Sequence, residues 1–207
     1  VYDVEITPNR PDLLGMIGVA RDLSSLLHLD LKTPELPDYP SGIITPDHLT
    51  IVNKNPEKCT RYTARMIRDV TIKESPDWLK QKLISLGLRP INNIVDITNF
   101  ILMEYGHPLH AFDYDLVKGK MIIVRDAVEG EQFIALNDKT YSLMQDDLVI
   151  ADLEKPIGLA GVMGGGNSQI TSETRNVVIE AACFKYSTIR RTSNRHKLYS
   201  DSSYRFE

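Results

Sequence analysis

From Lys120 to Ala182 the sequence offers strand patterns only in short lengths, each bounded by turn residues. Lys120–Val124 reads as one strand. Glu131–Leu136 and Thr140–Leu143 flank Asn137-Asp138-Lys139, a hairpin turn signal. Leu148–Ala151 is another short strand. Then comes PIGLAGVMGGGNS, Pro156–Ser168, with five glycines after Ile157. Glycine there lets the backbone approach a ligand or take positive φ. Val177–Ala182 follows as a strand or a helix entry and carries Glu180. The second half of the chain is therefore β-rich, built from short segments.

Helices surround this region. Leu13, Leu14, Ile17, Ala20, Leu23, Leu26 and Leu27 mark an amphipathic helix behind the turn Thr7–Pro11. Arg10 and Asp12 fit turn and cap duty at its start. Ser75-Pro76-Asp77 opens a second helix, with Ser75 as N-cap, Trp78, Leu79, Leu83 and Leu86 as its apolar stripe, and Gly87 at its end. A third runs from about Asn92 to Tyr105, with Ile97, Ile101, Leu102 and Tyr105 on one face. Gly106 closes it, and His107-Pro108-Leu109-His110 makes a stiff turn carrying two imidazoles. A basic helix begins at Ser187. Leu49–Val52 and Arg61–Val70 add strands, the latter with Tyr62, Ala64 and Met66 on one side and Arg61 and Arg65 on the other.

Pro34, Pro37, Pro40 and Pro46 lie among polar residues over 33–47, which argues for a linker. The expected division is 1–40, a short helical appendage and its linker, and 41–207, the main domain. The expected fold class is α+β: mostly antiparallel strands, able to close as a barrel-like core, with peripheral helices and a short N-terminal helical appendage.

Composition removes several functions. The net charge is −4, so this is no globally basic nucleic-acid binder, and any RNA contact must come from a local patch. Two cysteines, Cys59 and Cys183, read as reduced thiols. No apolar run approaches the ~20 residues that span a bilayer. His107 and His110 have metal-like spacing, but no further Cys or His falls within ligand reach, so no metal site is expected.

Four features carry candidate chemistry. His110 reads as a catalytic or substrate-orienting imidazole, or as a histidine hydrogen-bonded within its turn. The glycine stretch lacks the Gly-Lys-Ser/Thr ending of a phosphate loop, so a backbone wall for a flat or carbonyl-bearing ligand fits better. Glu180, in NVVIEAACF, is flanked by apolar residues and needs a donor: a ligand, an internal salt bridge or a backbone group. Lys185, Arg190, Arg191, Arg195 and Lys197 cluster with no acid between Ala181 and Tyr199, as a phosphate-binding face or a solvated helix surface.

Six ordered blocks then form a resemblance. They are TPNRPD (Thr7–Asp12), RPINNIVDITNF (Arg89–Phe100), GHPLHAFD (Gly106–Asp113), GLAGVMGG (Gly158–Gly165), IEAA (Ile179–Ala182) and the ending RRTSNRHKLYSDSSYRFE. The chain resembles the editing module of the beta chain of bacterial phenylalanyl-tRNA synthetases. The resemblance implies a cytoplasmic α2β2 assembly with an alpha chain and tRNA(Phe), no membrane, and hydrolysis of mischarged Tyr-tRNA(Phe). ATP and magnesium go with the whole synthetase and no cofactor with this piece. Carried over by motif, His110 takes the catalytic position. Thr98, Asn99, Pro108, Gly164, Glu180, Ser200 and Ser202 take substrate positions, with Glu180 meeting the tyrosine hydroxyl. Ser200 and Ser202 depart from the Thr and Ala of many relatives. Arg190, Arg191 and Arg195 are the nucleic-acid candidates. A non-catalytic tRNA-binding module and a structural spacer are the competing readings.

Overall fold

The computed structural model describes residues 4–7, 9–33, 35 and 48–207. The proline-rich stretch with Pro34, Pro37, Pro40 and Pro46 falls outside them. The fold is α+β, with five α-helices among the described residues. The chain divides into two compact units, Val1–Ile44 with Glu74–Pro108, and Thr45–Lys73 with Leu109–Glu207.

The first unit is helical. A 3-10 turn, Pro11–Leu13, leads into α1, Met16–Leu27. Arg10 bridges Asp12 and Asp22 at 2.8 Å each, so it ties the turn to the helix as its position suggested. Leu23, Leu26 and Leu27 remain exposed, because no described residue covers that stripe. Helix α2, Asp77–Ser85, buries Leu79 and Leu83, but Ser75 is not its cap. The Ser75 hydroxyl instead donates to the buried Asp96 carboxylate at 2.5 Å, and that carboxylate also accepts from Ile91 N–H at 2.8 Å. Trp78, expected in the core, is half exposed and meets Phe100 edge-on at 5.7 Å.

Helix α3, Asn93–Tyr105, starts where the sequence indicated, with the Asn92 side chain accepting from Ile94 and Val95 N–H. Its buried face is Ile94, Thr98 and Leu102, rotated from the expected one; Ile97 and Tyr105 are exposed. The Thr98 hydroxyl donates to Val95 O at 2.7 Å, which satisfies it inside the buried stripe. Gly106 ends the helix at φ 73°, the left-handed conformation only glycine takes without strain.

The second unit holds the sheets. Strands β1 (Thr50–Asn53), β2 (Cys59–Ile67), β3 (Leu109–Asp113), β4 (Met121–Asp126), β5 (Gln132–Ile134), β6 (Thr140–Ser142), β7 (Leu148–Ala151), β8 (Pro156–Leu159), β9 (Met163–Gly164) and β10 (Val177–Phe184) run in chain order. They pair as a five-stranded sheet, β1-β4-β7-β8-β9, a three-stranded sheet, β2-β10-β3, and the hairpin β5-β6. Only β1 and β4 pair in parallel among the described strands. Neither sheet closes into a barrel. Val177–Ala182, left open between strand and helix entry, is strand.

Strand β7 explains the layering. All four of its residues are buried, because both faces are covered. Leu148 and Ile150 join Phe112, Ile122, Val124 and Val178 in a core shared by the two sheets. Val149 and Ala151 join Phe133 and Leu159 in a second core, which Ile189 enters from helix α4, Tyr186–His196. Helix α5, Asp201–Phe206, completes the unit.

Gly106 gives a direct test of the first unit. A Cβ there would lie 3.3 Å from Gly15 N, on top of the positive φ. Gly106→Ala is expected to lower unfolding stability by about 1–2 kcal/mol in urea titration.

Candidate functional site

The three-stranded sheet positions the central residues. Strand β10 lies between β2 and β3, and Glu180 is the register partner of Ala64 on one side and of His110 on the other. Side chains at paired positions share a face, and directly opposite Cβ atoms lie about 4.5–5.5 Å apart. Tyr62, Ala64, Glu180, His110 and Phe112 therefore stand on one face. This face also presents Phe112, Val178, Tyr62 and Ala64 to the core. His110 is a strand residue rather than a turn residue, since β3 begins at Leu109.

Glu180 is 7% exposed. Tyr62 donates its phenolic hydroxyl to Glu180 Oε2 at 2.7 Å. The donor that Glu180 needed is thus present within the chain, and it is a phenol. Burial still pushes the carboxyl up to about 7, against the opposing pull of the Tyr62 bond. Burial and the adjacent carboxylate raise Tyr62 well above the ordinary phenol range. Cys59 on the same strand is also raised, to about 11, first by burial and then by Glu180.

His110 is held differently. Its ring meets Phe112 edge-on at 4.5 Å between centroids, and its Nε2 is buried without a hydrogen-bond partner. Burial lowers the imidazole to about 4, so it is neutral at neutral pH. A ring so weakly basic is a poor general base but a serviceable hydrogen-bonding group. Against it lies Gly164 of β9. A Cβ on Gly164 would fall 2.3 Å from His110 Cε1 and 2.6 Å from Nε2, so glycine is what admits the imidazole. The glycine stretch otherwise packs inward. Gly161, at φ 68°, faces Ile189, Phe184 and Phe206, and Gly165 N–H donates to Ile157 O at 2.8 Å.

Ser200 and Ser202 belong to the same unit, with their hydroxyls engaged by that stretch. Ser200 Oγ donates to Val162 O at 2.8 Å, and Ser202 Oγ to Gly161 O at 3.1 Å. Ser200 is also the N-cap of α5, in a reciprocal capping box with Ser203. Thr98 and Asn99 lie on α3 and Pro108 is buried just beyond it, all in the helical unit.

The basic helix carries counterions that local sequence did not reveal. Arg195 holds Asp146 at 2.6 and 3.0 Å and Asp147 at 2.7 Å, and Arg191 reaches Asp146 at 3.1 Å. Asp147 is fully buried and also accepts from Thr192, from Met144 N–H and at His196 Nε2. Arg195 therefore anchors α4 to the β6–β7 connection, while Arg190 is exposed. Both cysteines are free, Cys59 buried and Cys183 exposed. No described helix is long and apolar enough to cross a membrane. Tyr62 is the site residue that motif reading passed over; its only signal was its place on the inward side of the β2 alternation.

Residues 58–207 match the family model of the B3/4 domain. The chain belongs to that α+β family. Over its whole length it is 48% identical to the phenylalanine–tRNA ligase beta subunit of Protochlamydia amoebophila (strain UWE25), of which it covers 26%. It is likewise 48% identical to that subunit from Dehalococcoides mccartyi, again covering 26%. The chain thus spans about a quarter of these relatives' length. A crystal structure of an N-terminal fragment of the phenylalanyl-tRNA synthetase beta-subunit from Pyrococcus horikoshii matches with a TM-score of 0.49 at 16% identity, over 91% of this chain and 59% of that one. The resemblance to synthetase beta chains read from the motifs holds from end to end.

The two buried titrating groups predict a pH signature. Between pH 6.5 and about 4 the unfolded chain protonates His110 and the folded chain does not, so stability falls as pH falls. Between 4.5 and about 7 the folded chain keeps a proton on Glu180 that the unfolded chain has released, so stability falls as pH rises. Across the overlap the two nearly cancel. Glu180→Gln removes the second effect. The unfolding free energy of that variant, from urea titration, should rise with pH from about 4 to 6.5 by up to about 1.4 kcal/mol per pH unit, whereas that of the parent chain stays nearly level between 4.5 and 6.5.

Proposed function

We propose that this chain is the editing part of a phenylalanyl-tRNA synthetase beta chain and hydrolyses the ester of Tyr-tRNA(Phe). The observation that carries the reading is the buried, unpartnered Nε2 of His110 beside the Glu180 carboxyl, under the bare backbone of Gly164. A buried polar atom left unpaired costs about 1–3 kcal/mol, and a ligand that pairs with it recovers that cost.

The task has a physical cause. A pocket shaped for phenylalanine rejects an added hydroxyl only ~10²-fold, so a second site must select tyrosine by its hydroxyl. In this reading Glu180 meets that hydroxyl. His110, neutral and weakly basic, orients substrate or water rather than taking the proton outright. Water attacks the ester carbonyl, and the tRNA leaves as its ribose hydroxyl. Thr98, Asn99, Pro108, Gly164, Ser200 and Ser202 are assigned to the substrate's surroundings. Ser200 and Ser202 act there through the loop they hold. Arg190 and Arg191 are the more available of the three arginines for phosphate, because Arg195 is spent on Asp146 and Asp147. The partners are tRNA(Phe) and an alpha chain, in a cytoplasmic α2β2 assembly whose ATP and magnesium serve aminoacylation elsewhere. The proposed division sets 1–40 as the end of a preceding domain and 41–207 as the editing domain.

One observation favours a non-catalytic tRNA-binding or structural role. Glu180 already has an internal partner in Tyr62. Deacylation separates the two readings. In the intact synthetase, His110→Ala and Glu180→Ala are each expected to slow Tyr-tRNA(Phe) hydrolysis by at least about tenfold. Phe-tRNA should still form while Tyr-tRNA accumulates. Hydrolysis unchanged in both variants would reject the editing reading.

A further inference from the structure

We infer that Tyr62 is a positioning residue for substrate selection: by holding Glu180 Oε2 at 2.7 Å, it leaves Oε1 as the oxygen that receives an incoming aryl hydroxyl. The inference rests on the editing reading above and names a residue which that reading does not use.

The argument begins with the freedom of a carboxyl group. The terminal torsion of a glutamate is broad and roughly two-fold, so a buried carboxyl without a fixed partner can present either oxygen. Tyr62 removes that freedom. It approaches from β2, one strand over, two residues from Ala64, the register partner of Glu180. Its ring packs against the same core as Val178 and Phe112. A ring fixed by packing is a rigid donor, and a rigid donor fixes the acceptor. With Oε2 engaged, each charge state of Glu180 gives Oε1 one defined role. Ionised, Oε1 accepts a hydrogen bond. Protonated, the proton sits on Oε1, which then donates. An aryl hydroxyl can complement either state, since it both donates and accepts. A plain phenyl ring complements neither and leaves Oε1 unpaired. Selection of tyrosine over phenylalanine then depends on Tyr62 as well as on Glu180.

The titratable groups that bear on Glu180 among the described residues are Tyr62 and Cys59 from β2 and His110 from β3. Cys59 and Tyr62 are raised and stay neutral at neutral pH, and His110 is lowered and is neutral too. Glu180 is therefore the group among them that titrates near pH 7. The Tyr62 bond pulls it down, so removing the hydroxyl should move its midpoint upward.

The test uses the intact synthetase with Tyr62→Phe, which deletes one hydroxyl. The readout is the ratio of kcat/KM for deacylating Tyr-tRNA(Phe) and Phe-tRNA(Phe), measured against pH. The expected result is a ratio lowered by about ten- to hundredfold, with its pH midpoint shifted upward. A thermal melt checks folding. The effects of Tyr62→Phe and Glu180→Gln should be non-additive, because one acts through the other. If Glu180→Ala abolishes discrimination while a folded Tyr62→Phe keeps both the ratio and its midpoint, the Tyr62 inference fails and the editing reading stands. Additive effects overturn it as well. If Glu180→Ala and His110→Ala both leave deacylation unchanged, it is the editing reading that fails.

Discussion

A phenol donating to a carboxyl group inside a sheet is the interaction around which the second unit is arranged. Tyr62 and Glu180 come from neighbouring strands and meet at 2.7 Å on the face that looks into the core. A carboxylate buried there alone would be costly. The bond offsets part of that cost, and the carboxyl group meets the rest by titrating near 7. The strands β2 and β10 must keep their register for this to hold, because a slip of one residue would send Glu180 to the opposite face. The same register sets His110 beside Glu180 from the other flank.

His110 shows a second constraint, imposed from the opposing sheet. Its ring occupies space that any side chain at residue 164 would fill. Glycine in β9 is therefore a packing requirement of the imidazole as much as a property of the loop. Burial then does two things to the ring. It keeps the ring neutral, and it strands Nε2 without a partner. Glu180 and His110 thus deviate in opposite directions for the same reason, loss of solvent. The result is a polar pair, a neutral imidazole beside a carboxyl group that titrates near 7, able to hydrogen-bond a neutral ligand.

Much of the secondary structure was legible where one residue's conformation decides the matter. Asn92 caps α3 and Gly106 closes it, because a short acceptor and a missing Cβ act locally. Leu148–Ala151 reads as a strand from its unbroken apolar run, and the structure covers both its faces. Ser75 and Trp78 defied local reading because distant partners decide their roles. A buried aspartate on α3 took the serine hydroxyl, and Phe100 met the tryptophan at the surface. The strands β8 and β9 were hidden inside a glycine stretch with little strand propensity, since pairing of β8 with β7 and of β9 with β8 is what orders them.

The site was legible as a list of residues and not as an arrangement. Glu180 stood out because an acid in an apolar run demands a partner, yet nothing near it in sequence identified Tyr62, which lies 118 residues earlier. The basic helix illustrates the reverse case. No acid falls between Ala181 and Tyr199, but Asp146 and Asp147 arrive from the connection before β7 and neutralise Arg195. In both cases the missing information is the pairing of segments far apart in the chain. Local sequence sets which groups need a partner, and topology decides who supplies it. For Glu180 the supplier is a tyrosine, which means that the chain has already shaped one half of its carboxyl to a phenol. The chemistry of recognising a second phenol on the other half requires no new kind of contact, only a repeat of one the fold has already made.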